Sequence, residues 1–412
     1  MRLFLSALAL LACLFSFAAA SAQGRVSGVV QDSLTHEPLP FSSVFLANTT
    51  MGQTTDENGK FVFERVPRGE YEIVGSFVGY KLGKQHIAVS TAPQAVTLQL
   101  ASSGPKLEEV VVKANSHAAD DYHHFADIFL GQSTFSKQCR ITNPGEVDVT
   151  YSDSTRELSA HTDTYVQVEN QALGYRVKYY GLRFDYDAAD GTTSFYSQPV
   201  FEELKPKSEQ QRREWVAARA AAYYGSLTHF LKSVRDNRLK SEGFLAQHIT
   251  TAPNPAFARA DTLRRRLLRR VGRGPHTPAQ ADSMEALLAV APLEALVQPG
   301  VLPLDSLRRQ SADKEHVYLR FRHELQVAYF GEAPDPRYEL RMSPLGYTGA
   351  KYPTQREVSR LALLDPEVEI LPNGTLADPL AVRVGEYWGF EKTGELLPLD
   401  YVPPGHAAVP LP

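Results

Sequence analysis

Four residues near the middle of the chain combine chemically capable side chains with helical spacing: Trp215, Arg219, Ser226 and His229. Their offsets of 4, 7 and 3 would set them along one side of a helix running through Gly225. A serine and a histidine on one helix invite a hydrolase reading. That chemistry needs the nucleophile on a strained strand-to-helix elbow such as G-x-S-x-G, and a glycine run for the oxyanion. Ser226 has neither in its neighbourhood. The four are therefore expected to form a ligand-facing or hydrogen-bonded structural stripe, and no catalytic residue is assigned.

Other chemistry-bearing residues reduce in the same way. His123, His124 and Asp127 share a short helical stretch, but one acid and no further histidine cluster make a thin metal site. Asp56-x-Asn58-Gly59 resembles part of a calcium loop, yet the later ligands and the bidentate glutamate are missing, so a hairpin turn is expected. The sequence holds no Gly-rich phosphate loop, no H-E-x-x-H, no zinc ligand set and no convincing carboxylate pair. No cofactor and no metal are expected.

The chain has 412 residues with a formal charge of −4, so no general basic field for nucleic acid exists. Nineteen tyrosines and 20 phenylalanines can anchor real cores, and the length suits two or three domains. Two cysteines exclude a disulfide scaffold. Residues 1–22 read as a secretory signal peptide: Arg2, an apolar run, then Ala20-Ser21-Ala22, with cleavage expected before Gln23. Leu10-Leu11-Ala12-Cys13 offers a lipobox as the alternative. After cleavage only Cys139 remains, expected as a buried small hydrophobe. No later stretch reaches the ~18 apolar residues of a membrane helix.

Positioning elements follow from periodicity. Residues 24–100 show short apolar strands, near 25–31, 42–47, 60–64, 70–78, 84–89 and 95–100, separated by turn residues. This predicts an all-β sandwich. Within it run Gly28-Val29-Val30-x-Asp32, Pro38-Leu39-Pro40-x-x-x-Val44, Thr54-x-Asp56-x-x-Gly59-x-Phe61-x-Phe63, Val66-Pro67-x-Gly69-x-Tyr71-x-Ile73 and Gly79-Tyr80. This order resembles a carboxypeptidase regulatory-like domain, a transthyretin-like sandwich found at the N-termini of exported gram-negative envelope proteins. The resemblance implies a non-catalytic module and carries no peptidase activity. Related sandwiches stack sugars on exposed aromatics, for which Phe41, Phe77 and Tyr80 are the candidates beside a core role.

A linker is expected over 101–125. Its Leu107-Glu108-Glu109-Val110-Val111-Val112-Lys113 resembles the run that precedes the plug of TonB-dependent receptors, and an edge strand is the alternative. The helical stretches that follow set the expectation that no receptor barrel is present. Residues 126–403 are expected to form one α+β domain with a helical insertion at 255–312 and a tail at 404–412. Val147, Val149 and Tyr151, then Tyr175, Val177 and Tyr179, then Leu182, Phe184 and Tyr186 alternate as strands. Ser208 and Gln211 form a capping box, and Val216, Tyr223, Leu227, Phe230 and Val234 are the expected core stripe. Arg259, Arg264, Arg265, Arg266, Arg269, Arg270 and Arg273 with Leu263, Leu267 and Leu268 form a basic amphipathic helix, expected to turn its leucines inward rather than onto an anionic membrane. Strands are expected at 317–321, 325–330, 338–342 and 358–364, with a hairpin about Asn373-Gly374. Tyr387-Trp388 is a packing anchor or a ligand stack.

Asn143-Pro144, Leu173-Gly174-Tyr175, Arg219-x-x-x-Tyr223-Tyr224-Gly225-Ser226-x-x-His229-Phe230 and Glu242-Gly243-Phe244 resemble a second domain found with the same envelope proteins, one without an assigned activity. The expectation is a non-enzymatic exported protein of the periplasm or outer membrane, docking an envelope protein partner, with a glycan ligand as the alternative and a hydrolase a distant third.

Overall fold

The computed structural model describes residues 23–103, 118–189, 191–271, 277–288, 290–338, 356–405 and 411. The expected signal peptide, the Leu107–Lys113 run and most of the tail lie outside the described residues. The described residues fold into two compact units: those from Gln23 to Tyr223 with Leu371–Asn373 and Glu391–Gly405, and those from Tyr224 to Ile370 with Gly374–Phe390.

The first unit opens with the sandwich: β1 (Gln23–Asp32), β2 (Ser43–Leu46), β3 (Gly52–Thr54), β4 (Lys60–Pro67), β5 (Gly69–Ser76), β6 (Gly83–Val89) and β7 (Gln94–Leu100). They build a three-stranded sheet, β4-β1-β7, and a four-stranded sheet, β3-β2-β5-β6. Val26, Val30, Val44, Leu46, Ile73, Leu98 and Leu100 interdigitate between the two. Asp56 shapes the β3–β4 turn as the sequence predicts, its Oδ1 accepting the N–H of Asn58 and of Lys60, both at 2.8 Å.

The unbroken apolar run Val44-Phe45-Leu46-Ala47 marks a strand buried on both faces. Val44 and Leu46 face the sandwich core, whereas Phe45, Ala47 and Val74 pack outward on Tyr180. The Phe45 and Tyr180 rings stack at 4.7 Å. The N–H of Asn48 donates to Pro199 O at 2.6 Å, and that of Phe201 to Thr49 O at 2.9 Å.

Tyr180 belongs to the second half of this unit. Helix α1 (Ala118–Leu130) is followed by β8 (Cys139–Ile141), β9 (Asp148–Ser152), β10 (Glu157–His161), β11 (Tyr165–Asn170), β12 (Tyr175–Asp187) and β13 (Thr192–Glu203). These strands form a six-stranded antiparallel sheet, covered by Phe125 and Phe129 of α1. The two alternating runs at 175–179 and 182–186 are one strand, not two. Their phases differ by one residue, because Gly181, at φ +58°, adds a residue where the pairing of β12 with β13 shifts register. Helix α2 (Glu209–Tyr223) follows.

The second unit contains α3 (Leu227–Arg235), β14 (Phe244–Pro253), α4 (Pro255–Val271), α5 (Pro278–Leu288), β15 (Leu293–Val301), α6 (Leu304–Leu307), β16 (Arg308–Gln310), β17 (Val317–Leu319), β18 (Glu324–Tyr329), β19 (Glu357–Leu363), β20 (Val368–Ile370), β21 (Val382–Glu386) and α7 (Tyr387–Phe390). A five-stranded sheet, β15-β14-β18-β19-β21, and a three-stranded sheet, β16-β17-β20, share a core with Phe230, Leu231 and Val234 of α3.

Several expectations change. The sheets of residues 126–403, expected as one domain, divide between the two units. The 255–312 stretch is not wholly helical: α4 and α5 stand between paired strands β14 and β15. Pro299 disguised β15 in the sequence, yet an edge strand tolerates proline because the missing N–H leaves no ladder bond broken. Val216 is 52% exposed, and Trp215 takes its place in the core at 6%. Leu263 and Leu268 stand 48% and 47% exposed instead of turning inward. The Asn373-Gly374 turn closes only the Ile370–Leu376 bridge, because β21 pairs with β19 instead. Of the strand expected at 338–342, Tyr338 is helical and the rest lies outside the described residues.

Two-sided burial of β2 gives a direct test. Phe45→Ala should cost about 3–5 kcal/mol in denaturant unfolding, whereas Val216→Ala should cost less than about 0.5 kcal/mol. The reverse order would refute the packing described.

Candidate functional site

The four residues of the expected stripe are not on one helix. Helix α2 ends at Tyr223, Gly225 takes φ +86°, and α3 begins at Leu227. Trp215 and Arg219 belong to the first unit, Ser226 and His229 to the second.

In the first unit, Ser208 Oγ accepts the Gln211 N–H at 3.1 Å, and Gln211 Oε1 accepts the N–H of Lys207 at 2.7 Å, fixing the start of α2. One face of the helix then reaches the turn between β11 and β12. Trp215 Nε1–H donates to Gln171 O at 2.8 Å. The Arg219 guanidinium donates from Nε to Leu173 O at 2.7 Å, from Nη2 to Gly174 O at 3.2 Å, and from Nη1 to Glu203 at 2.8 Å. Its plane lies 4.0 Å from the Tyr175 ring centre. Gly174, at φ +71°, has no room for a Cβ because the Trp215 indole occupies that space. Trp215 and Arg219 therefore clamp a backbone turn.

In the second unit, Ser226 caps α3, its Oγ accepting the His229 N–H at 3.2 Å. The His229 imidazole is buried at 3% exposure. Its Nδ1 accepts the Gly225 N–H at 3.2 Å, so the ring proton sits on Nε2, 3.3 Å from Glu242 Oε2. Both ring nitrogens are thus held by partners other than Ser226. Tyr224, Phe244 and Tyr329 surround the ring at 5.3, 4.8 and 5.6 Å. The Glu357 carboxylate and the Tyr329 ring fill the space beside Gly225 where a Cβ would stand, and Gly225 O accepts from Trp388 Nε1–H at 2.8 Å. A nucleophile and its base would need a ring nitrogen facing the hydroxyl. This arrangement instead joins a helix cap to a buried turn.

Sequence reading did not anticipate the acids around Tyr329. Burial raises the Tyr329 phenol above its ordinary range, helped by Glu332, Glu357 and Glu242. Burial likewise pushes the Glu332 carboxyl up to about 8. A cavity of about 350 Å³ in the same unit is lined by Arg238, Lys240, Ser241, Phe244, Leu302 and Leu304 among others. Ser241 Oγ donates to Arg238 O at 2.9 Å, so its hydroxyl serves the local turn.

His123 and His124 are exposed, and His124 meets the Tyr186 ring edge-on at 5.7 Å. Among the described residues no group of three or more histidines, cysteines or acids has metal-holding geometry. Cys139, expected to be buried, is half-buried, and burial with Glu395 nearby pushes its thiol up to about 12. Trp388 and Tyr387 are buried anchors, the former 5.3 Å from Phe230. Phe77 and Tyr80 pack against the sandwich core, and Tyr80 donates to Asp32 at 2.9 Å. Phe41 is 67% exposed.

Two outcomes test this assignment. Gly225→Ala should lose about 2–4 kcal/mol of stability, from left-handed strain and the crowding by Glu357; a loss below about 0.5 kcal/mol would contradict it. Glu332 holds its proton to about pH 8 when folded, against 4.5 as its ordinary value. The folded state then binds more protons across that window, so stability should fall as pH rises through it. Melting curves at points along the window should show this decline in the wild type and a flatter profile in Glu332→Gln.

Among known proteins, residues 26–112 match the CarboxypepD_reg-like domain family. No curated protein matches the chain. Similar solved structures include BcpA, the major pilin subunit of Bacillus cereus, with 16% identity over 20% of this chain and 31% of that one, at a TM-score of 0.18. The shaft pilin SpaA from Lactobacillus rhamnosus GG matches with 15% identity over 20% of this chain and 48% of its own, also at 0.18. Catechol 1,2-dioxygenase from Acinetobacter sp. ADP1 matches with 11% identity over 21% and 55%, again at 0.18. The chain spans less than two thirds of each of these structures, and likenesses of this degree carry no functional argument. The family match over residues 26–112 and the sandwich built by β1–β7 agree on a carboxypeptidase regulatory-like domain.

Proposed function

We propose that this is a non-enzymatic exported protein of the cell envelope, in the periplasm or at the outer membrane, that docks an envelope protein partner by strand addition. One observation carries the docking reading. Strand β15 ends the five-stranded sheet, with β14 as its ladder partner among the described residues. Leu293, Leu296 and Val301 on it are 54%, 42% and 44% exposed, and Glu294 is its single charge. Natural edges are normally blunted by charge, proline, bulges or brevity; Pro299 and the register shift interrupt the far end of this one, and Leu293–Gln298 remain a largely apolar run that suits an added strand.

The non-enzymatic part rests on Trp215, Arg219, Ser226 and His229 serving backbone turns and a helix cap. Export rests on the leader-like residues 1–22 and on the class of domain at 26–112. Among the described residues no helix is long and apolar enough to cross a membrane. Nucleic acid is not a partner in this reading.

Chemical cross-linking in envelope fractions of the native host should trap a discrete adduct with the wild type and lose it with Leu293→Lys/Leu296→Lys, at unchanged melting temperature. An adduct insensitive to that change would reject docking at β15. A second reading, glycan binding, draws on Phe41, whose exposed ring sits on left-handed backbone at φ +58°. Retention on a glycan array that Phe41→Ala abolishes would favour it.

A further inference from the structure

The open edge of β15 can be mapped group by group. At the start of the β14–β15 ladder the Asn254 N–H donates to Pro292 O at 2.9 Å. In the same register Ala252 stands opposite Glu294 and Thr250 opposite Leu296. Antiparallel ladders alternate hydrogen-bonded with non-hydrogen-bonded pairs. The backbone groups of Glu294 and Leu296 therefore turn toward β14, and those of Leu293, Ala295 and Val297 turn away from it. The far side of β14 agrees. There the Phe330 N–H donates to Gly243 O at 3.0 Å, which commits Leu245, Gln247 and Ile249 to β18 and leaves Thr250 and Ala252 for β15. Among the described residues the sheet ends at β15, so the N–H and C=O groups of Leu293, Ala295 and Val297 face outward.

The side chains along this edge form a chemical palindrome. Leu296 is its centre, flanked by Ala295 and Val297, then by Glu294 and Gln298, then by Leu293 and Pro299. Outward from Leu296 the order is apolar, polar, apolar in both directions. Gln298 lies on the same face as Leu296, because its side-chain amide donates to the Thr250 hydroxyl at 2.7 Å and Thr250 stands opposite Leu296. Pro299 closes the palindrome with a ring that has no N–H to leave bare.

We propose that β15 pairs antiparallel with β15 of a second copy of this chain, across a two-fold axis at Leu296. This rests on the docking reading above and names its partner. A two-fold contact needs a patch complementary to itself, and the palindrome supplies one. Ala295 exchanges both backbone hydrogen bonds with Val297 of the second copy, and the Leu293 N–H donates to the other Pro299 O. Leu296 meets its own copy as a non-hydrogen-bonded pair, where side chains approach most closely. Glu294 faces the Gln298 amide. Neighbouring registers lose this match. An axis at Ala295 sets Glu294 against Leu296, one at Val297 sets Leu296 against Gln298, and one at Glu294 opposes like charges. An axis between two residues aims outward groups at groups already held by β14. A foreign strand asks only for an apolar run, whereas the symmetry singles out a second copy.

Sedimentation of the purified full mature chain tests it. The wild type should shift from monomer to dimer as concentration rises. Leu296→Lys, which opposes two ammonium groups on the axis, should stay monomeric at unchanged melting temperature. Mild oxidation reads the register. Opposed Cβ atoms in such a pair are about 4.5–5.5 Å apart, near disulfide reach. Leu296→Cys should therefore yield a dimer linked through position 296. Ala295→Cys, about 7–8 Å from its own copy, should not, and the wild type with Cys139 is the control. Gln298→Glu should weaken association about fivefold by facing Glu294, and adding Glu294→Lys should restore it. A chain monomeric at every concentration would overturn the proposal. So would a link that forms more readily in Ala295→Cys than in Leu296→Cys. If the purified chain is monomeric while the β15-dependent adduct in envelope fractions holds a different protein, self-pairing is rejected and docking stands. If neither dimer nor adduct appears, both fall.

Discussion

A turn buried inside a protein leaves backbone N–H and C=O groups that no ladder satisfies, and leaving them bare costs more than any ordinary contact returns. That constraint organises this molecule. The carbonyls of Gln171, Leu173 and Gly174 are met by Trp215 and Arg219, and the Gly225 peptide by His229 and Trp388. Each set is built on a left-handed glycine pressed against a large side chain. Trp215, Arg219 and His229 each engage backbone at these turns, and Ser226 serves as the cap of α3.

Much of this was legible from residue order. The sandwich followed from alternation and turn residues, and its outward burial is written in the unbroken run at 44–47. The motif linking Leu173-Gly174-Tyr175 to Arg219, and Gly225-Ser226 to His229 and Glu242, reads in hindsight as two sets of contacts. What the sequence hid has a physical cause in each case. Helical periodicity continues across Gly225, so nothing in the pattern announces the left-handed break. Val216 and Trp215 are adjacent on a helix, and only the position of the β11–β12 turn decides which is buried. Glu332 and Glu357 look like ordinary surface acids until strands and loops distant in sequence enclose them. β15 was masked by a proline that an edge strand tolerates.

The packing of the sandwich also bears on how the chain works. Its four-stranded sheet has no wet face at Phe45 and Val74, because Tyr180, Tyr165 and Val200 cover it. The regulatory-like domain is built into the first unit rather than appended to it. Its removal would uncover Tyr165, Tyr180 and Val200 and leave Pro199 O and the Phe201 N–H without Asn48 and Thr49 as partners, so a truncated chain is a poor stand-in for the intact protein.

The extra residue at Gly181 gives the chain an unusual sensitivity to length. Along β12 the side chains before it point inward at odd positions and those after it at even positions, and both sets sit in one core. Loss of a single codon there would restore a regular strand and swing Leu182, Phe184 and Tyr186 to the opposite face, while the pairing with β10 and β13 slid by one. Most substitutions in this strand change one side chain, but a one-residue deletion changes the facing of every residue that follows. In any set of related sequences, the spacing between Tyr179 and Leu182 should therefore be kept more strictly than the identity of either residue.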